Sequence, residues 1–280
     1  HDRNANIYKP ERLEEIKNSP WDFNINPEYI ELAFSNECNF KCGYCHPMSS
    51  SSFQSEIKKH GPYNTVKNHT LNIEWFNPYQ EDENPYIEAW WKWWPDVSKT
   101  LNILRITGGE PLLGWQRAYA ELLSHPRMAD LKNITFETNG TQELHDDFEH
   151  FLMDWTLNPR GGIGRRGKDA LTFSVSAKLS ASGEKWEEAI QPDIVMSYAN
   201  IGTTYLKFVV ETDEHIEDAR RATQEFRDAG FKGQIFLMPQ GGIVRPYEAN
   251  KVRIADICCA EGWNYSPRLH VDLWGNGWGK

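Results

Sequence analysis

The chain has 280 residues, of which 39% are hydrophobic and 25% charged, enough apolar material for the core of one large α/β unit. A formal net charge of −10 argues against a broad nucleic-acid footprint, and a mean hydropathy of −0.66 without a long apolar run argues against a helical membrane span. Of the five cysteines, three fall within eight residues, which points away from a disulfide scaffold and toward a metal centre in a reducing, cytoplasmic compartment; no secretion signal is expected.

Six strand-like runs follow one another along the chain: Tyr29–Phe34, Ile103–Thr107, Ile134–Thr138, Leu171–Lys178, Tyr205–Val210 and Gln234–Met238. Each is rich in β-branched or aromatic residues, and Gly, Pro or Asn often stands nearby. Between them lie amphipathic stretches at Trp115–Met128, Glu143–Trp155 and Asp213–Ala229; the last has Asp213 as a candidate N-cap and Gly230 just past its end. Alternating strands and helices predict parallel pairing through right-handed crossovers, hence an α/β fold built as an incomplete (β/α)6 barrel. The pattern is read as a single domain over residues 1–280 with an insertion at about 46–100. The insertion carries Ser49–Ser52 and the run Trp90-Trp91-Lys92-Trp93-Trp94, whose periodic aromatics predict a helix packed on the core rather than a substrate platform. Residues Asn158–Lys168 are Gly-rich and basic; their order, after a helix and before a strand, reads as a flexible loop and not as a dinucleotide fingerprint. Docking of an acidic electron donor is the lesser reading of that loop.

Chemistry in such barrels collects at the C-terminal ends of the strands, and the distinctive phrases stand there. The first is Cys38-Asn39-Phe40-Lys41-Cys42-Gly43-Tyr44-Cys45, spaced C-x3-C-x2-C. Thiolates at this spacing suit an iron–sulfur cluster, with three ligands leaving one iron open to a bound cofactor. Zinc on the three cysteines and His46 is a second reading, although adjacent Cys45 and His46 make a tetrahedral set awkward. Gly108-Gly109-Glu110-Pro111 closes the second strand, Asn139-Gly140 the third, Ser174–Lys178 belongs to the fourth and Gln240 follows the sixth. Ser176 and Lys178 alternate, so both are expected on one face. Cys258-Cys259 are read as a structural or incidental pair, because two adjacent cysteines cannot hold a second cluster.

The cysteine spacing, the aromatic Tyr44 before the third cysteine and the Gly-Gly-Glu-Pro phrase resemble the radical S-adenosylmethionine (SAM) superfamily. That resemblance implies a 4Fe–4S cluster on Cys38, Cys42 and Cys45, and SAM bound near Tyr44, Gly108, Gly109, Glu110, Asn139, Ser176, Lys178 and Gln240. Glu110 would accept the methionine ammonium, with the glycines allowing close backbone approach. The implied chemistry is one-electron cleavage of SAM to a 5′-deoxyadenosyl radical that abstracts a substrate hydrogen atom. Glu137–Thr141, Ser174–Ser180, Lys207–Glu211, Leu237–Gly241 and Ser266–Gly275 further resemble 7-carboxy-7-deazaguanine synthases over about residues 103–280. That family converts 6-carboxy-5,6,7,8-tetrahydropterin to 7-carboxy-7-deazaguanine with loss of ammonia, using Mg2+. The resemblance implies Glu137 and His270 as catalytic and substrate-binding residues and Thr107 as a pocket residue. It also implies a flavodoxin-like or ferredoxin-like electron donor and a homodimer.

The front of the chain departs from that family. Asp22–Pro27 lacks its Gln-Gly-Glu-Gly stretch, and His46-Pro47 replaces an Asp-Thr whose threonine helps hold Mg2+; Ser49 or Ser50 is the candidate substitute. A divergent synthase, such as a virus-encoded 7-deazaguanine pathway would carry, reconciles both halves. Another radical SAM enzyme acting on a peptide or nucleotide, and a non-catalytic Fe–S or zinc module, are the rival readings.

Overall fold

The computed structural model describes residues 10–23, 25–42, 45, 47–61, 84–157, 166–240 and 244–275. Helix α1 (Pro10–Asn18) precedes β1 (Tyr29–Leu32); α2 (Ser51–His60) and α3 (Pro85–Val97) then lead to β2 (Ile103–Ile106). From there strand and helix alternate: α4 (Gln116–Ser124), β3 (Asn133–Thr138), α5 (Asp146–Leu157), β4 (Leu171–Val175), α6 (Trp186–Ala189), α7 (Pro192–Ile201), β5 (Thr203–Val210), α8 (Asp213–Asp228) and β6 (Ile235–Pro239). Helix α9 (Val244–Glu261), β7 (Asn264–Tyr265) and α10 (Leu269–Trp274) complete the described chain. The strands form one sheet in the order β1 to β7, every neighbouring pair parallel. This is the parallel partial barrel expected, with a two-residue edge strand, β7, added to the six anticipated.

The alternation along the strands builds the two faces. Leu104, Ile106, Ile134, Phe136, Phe173, Leu206, Phe208 and Leu237 are wholly buried beneath the helices. Phe136 stacks on Phe173 with centroids 5.9 Å apart, and Phe173 on Tyr198 of α7 at 4.6 Å. Each such ring contributes about 1.5–3 kcal/mol through removal from water. The alternate positions, among them Arg105, Glu137, Tyr205 and Lys207, are only partly covered and face the inside of the barrel. Sheet parity therefore places a polar interior opposite an apolar shell.

Several boundaries differ from the sequence reading. β1 stops at Leu32 and β4 at Val175, shorter than the runs read from the sequence, and the last bonds at these ends are Thr107 N–H to the Leu32 carbonyl and Ser176 N–H to the Thr138 carbonyl. α8 is capped by Thr212, one residue before the expected Asp213; the Thr212 hydroxyl accepts from His215 N–H and the His215 ring accepts in return, closing a capping box. The stretch from Trp115 breaks at His125, giving α4 and a short 3-10 turn at Pro126–Met128. The tryptophan run does form a helix on the core: Trp90 and Trp94 are buried, and Trp94 Nε1 donates to the Arg127 carbonyl at 3.0 Å. Trp93 points outward, 44% exposed. No helix among the described residues is long and apolar enough to cross a membrane.

Candidate active site at the strand C-terminal ends

The loops after β1, β2, β3 and β4 are bound to one another at one end of the sheet. The segment leading into the cysteine loop is the hub. Gly109 has φ +54° and lies so close to it that a Cβ there would stand 2.2 Å from the Glu37 carbonyl oxygen. Gly108 has φ +87°, and its Cβ would meet that of Ala33 at 2.6 Å. A close approach that requires glycine is therefore made to the chain itself.

Glu110 is likewise engaged within the chain. Its side chain is buried, with the residue 1% exposed, and its carboxylate accepts from Leu112 N–H (3.1 Å), Thr138 Oγ1 (2.7 Å) and Asn139 N–H (2.6 Å). Burial pushes its pKa up, while the three donors and the Lys178 charge oppose that rise. A carboxylate so occupied staples the β2 loop to the β3 loop. Asn139 in turn donates through Nδ2 to Asn39 Oδ1 at 2.9 Å, while its Oδ1 accepts from Thr141 N–H and Oγ1.

The cysteine loop is braced from three further sides. The Ser50 hydroxyl donates to the Phe40 carbonyl (2.8 Å) and accepts from Phe53 N–H (3.4 Å), capping α2. Ser52 donates to the Cys38 carbonyl (2.6 Å) and Ser51 Oγ accepts from Cys38 N–H (3.1 Å). From the β4 side, Glu184 accepts from Lys41 N–H at 2.6 Å. The serine run is thus the buttress of the loop. Ser50, wholly buried with its hydroxyl used in both directions, is not available as an Mg2+ ligand, which removes one of the two substitutes anticipated. Ser49 is exposed.

Cys38, Cys42 and Cys45 form no disulfide among the described residues and pack around Phe40 and Ala189. Burial, with the Glu110 charge and the neighbouring thiols, pushes Cys38 up to about 11, so a cation entering the loop must displace protons. Among the described residues no three His, Cys, Asp or Glu groups converge as a closed metal cage. The donor chemistry of three cysteines in one loop, partly or fully buried on Phe40 and Ala189, is of the type that a cluster with an open iron takes. Tyr44 and His46 lie outside the described residues, as does most of the Gly-rich loop, residues 158–165. Cys258 is buried in α9, donating to the Asn264 carbonyl at 3.3 Å, and Cys259 is exposed, as suits a structural pair.

Farther round the mouth, Lys178 Nζ donates to Ser176 Oγ at 3.3 Å, which puts both side chains on one face. Gln240 N–H donates to the Val210 carbonyl, while its Oε1 is buried without a partner among the described residues. Such an orphaned acceptor is rare and suits a ligand donor. His270 belongs to α10 by its backbone rather than to a C-terminal strand, and its side chain lies outside the described residues.

Below the mouth, the barrel interior holds a charged group in which the expected Glu137 is joined by Arg105 and Lys207, to which motif reading gave no role. Glu137 Oε2 accepts from Arg105 Nε at 3.2 Å, and Glu137 Oε1 pairs with Lys207 Nζ. Thr107 Oγ1 reaches Glu137 Oε2 at 3.5 Å. Arg105 extends to Ser174 Oγ (3.3 Å), Tyr205 OH (3.4 Å) and Tyr29 OH (3.4 Å). Burial works against the Glu137 charge, but Lys207 and Arg105 outweigh it and hold the carboxyl below its usual range. Arg105, for its part, is kept charged by Glu137 against its own burial. The carboxylate expected to take a substrate ring directly is already the partner of two cations. A pH consequence follows. The folded pKa of Glu137 lies below the unfolded one, so its stabilisation is present above about pH 4.3 and is lost as pH falls through the folded value. Glu137→Gln is expected to cost roughly 2–3 kcal/mol at pH 7 and progressively less toward pH 3, measured by urea unfolding of both proteins. A deficit independent of pH would contradict the pairing.

No family model matches the chain. Over 175 residues it is 28% identical to a 7-carboxy-7-deazaguanine synthase of Pyrobaculum aerophilum, a match covering 62% of this chain and 66% of that enzyme. It is also 28% identical over 175 residues to a 7-carboxy-7-deazaguanine synthase of Halobacterium salinarum, covering 60% and 63% respectively. The chain is a divergent relative of these synthases. Its match spans just under two thirds of their length.

Proposed function

We propose that the chain is a radical SAM enzyme making 7-carboxy-7-deazaguanine from 6-carboxy-5,6,7,8-tetrahydropterin with loss of ammonia. The observation carrying the reading is the meeting of the cysteine loop, the Gly108–Pro111 loop, Asn139 and the Ser176–Lys178 pair at one end of a parallel partial barrel, above a polar interior. The likeness to two synthases of that name supports it.

Cys38, Cys42 and Cys45 would hold a 4Fe–4S cluster, which with SAM supplies the one-electron chemistry that lifts a hydrogen atom from the substrate. The chain's own part is placement. The backbone of the Gly108–Pro111 loop, Ser176 and Lys178 would bind the amino-acid end of SAM, and Gln240 Oε1 its adenosyl end. Glu137, through the cations it holds, and Thr107 would orient the substrate, with His270 closing over it. A flavodoxin-like or ferredoxin-like donor, a cytoplasmic setting and a homodimer belong to the same reading.

The test is turnover of the carboxy-tetrahydropterin by anaerobically reconstituted, reduced protein, with the deazaguanine read by mass. SAM cleavage without that product would overturn the substrate and keep the chemistry. Separately, Cys38→Ala, Cys42→Ala and Cys45→Ala are each expected to lose most reconstituted iron and its visible absorption, while Cys258→Ala and Cys259→Ala keep both. Equal iron in all five variants would refute the ligand assignment.

A further inference from the structure

We infer that the inner floor of the barrel is a carboxylate seat, in which Arg105 and Lys207, oriented by Glu137, take the acid group of a planar heteroaromatic substrate. The identity of the ring rests on the function proposed above; the seat itself is argued from geometry.

Charge and donor accounting carry it. Arg105, Lys207 and Glu137 are similarly enclosed, with side-chain exposures of 17%, 15% and 21%, so two cations share one mostly buried anion. The next carboxylate, Glu31, stands 3.9 Å from Arg105 Nε and is 48% exposed, where water screens it. Glu137 uses one N–H of Arg105 and one of the three donors of Lys207. The remaining Arg105 contacts go to neutral hydroxyls of Ser174, Tyr205 and Tyr29 at 3.3–3.4 Å, the long end of hydrogen bonding. A charged acceptor makes shorter and stronger bonds to a guanidinium than a hydroxyl does, and the displaced Ser174 and Tyr205 hydroxyls can turn to donate to it, while that of Tyr29 already donates to Glu31. These side chains come from the inner faces of β1, β2, β4 and β5 beneath the loops, so an anion held there leaves its ring pointing up toward the mouth. Glu137 thereby acts through Arg105 and Lys207, as a positioning residue.

The seat is tested by fluorescence titration of pterin-6-carboxylate and unsubstituted pterin, with 2-naphthoate and 2-naphthamide as ring-independent probes. The wild type is expected to prefer each acid over its uncharged partner by about tenfold. Lys207→Met leaves the Arg105–Glu137 pair intact and is expected to fold; it should lose most of that preference while binding the uncharged probes as before. Glu137→Gln removes the charge that orients the two cations and should weaken the acids several-fold while leaving unsubstituted pterin and 2-naphthamide as before, whereas direct recognition of the ring by Glu137 would weaken both pterins alike. Acid and uncharged probes bound alike, with Lys207→Met neutral, overturns the seat whatever the pterins do. Binding of 2-naphthoate in a Lys207-dependent way, with neither pterin bound, supports the seat and overturns the pterin.

Discussion

Glu110→Ala is expected to lower the unfolding free energy by roughly 3–5 kcal/mol, a third or more of the stability of a typical domain. The substitution strips the acceptor from Leu112 N–H, Asn139 N–H and the Thr138 hydroxyl, all in a site sealed from water. Each orphaned donor costs about 1–3 kcal/mol, and the vacated volume adds to that. Glu110→Gln keeps the shape but turns an NH2 toward a donor, so an intermediate loss of about 1–3 kcal/mol is expected. Denaturant unfolding with unchanged m-values is the measurement. A Glu110→Ala protein within about 1 kcal/mol of the wild type would mean the staple carries no weight.

That staple illustrates what the sequence could and could not convey. The parallel order of the strands was legible, because β-branched runs alternate with amphipathic helices and right-handed crossovers leave few topologies. The assembly of the motifs at one end was legible too, since loops after parallel strands share that end. What each motif side chain does was not. Glu110 accepts from Asn139, 29 residues away, and no local pattern announces such a partner. The glycines were read as sites of close approach, but a sequence cannot say that Glu37 is one approaching surface. Ser50 was read with Ser49 as a candidate Mg2+ ligand, yet it is a cap whose other bond reaches back to Phe40. Arg105 and Lys207 were missed although a signal was present. In Ile103–Thr107 and Tyr205–Val210 the polar residues Arg105, Thr107, Tyr205 and Lys207 fall only on alternate positions of otherwise apolar strands, which in a barrel covered outside by helices marks an inward row. Attention to phrases at strand ends passed over the parity within the strands.

Gly109→Ala should couple the fold to the metal more sharply than any cysteine-sparing change. Its Cβ would stand 2.2 Å from the Glu37 oxygen and 2.7 Å from the Asn36 carbonyl carbon, both backbone atoms, so no rotamer relieves the clash. A left-handed φ adds about 1–2 kcal/mol for any residue with a Cβ. Relief must come from parting the two loops, which breaks the 2.6 Å bond from Glu110 N–H to Glu37 and moves the residue directly before Cys38. The expected result is a stability loss of about 2–4 kcal/mol together with iron retained well below the wild-type level. Gly183→Ala is the control: φ is +82° there too, but nothing lies within 4 Å of the added Cβ. It should pay only the backbone cost, about 1–2 kcal/mol, and keep its iron. Equal iron in the two variants would show that the Gly108–Pro111 loop does not set the position of the first cysteine, and that each loop at the mouth holds its ligands independently.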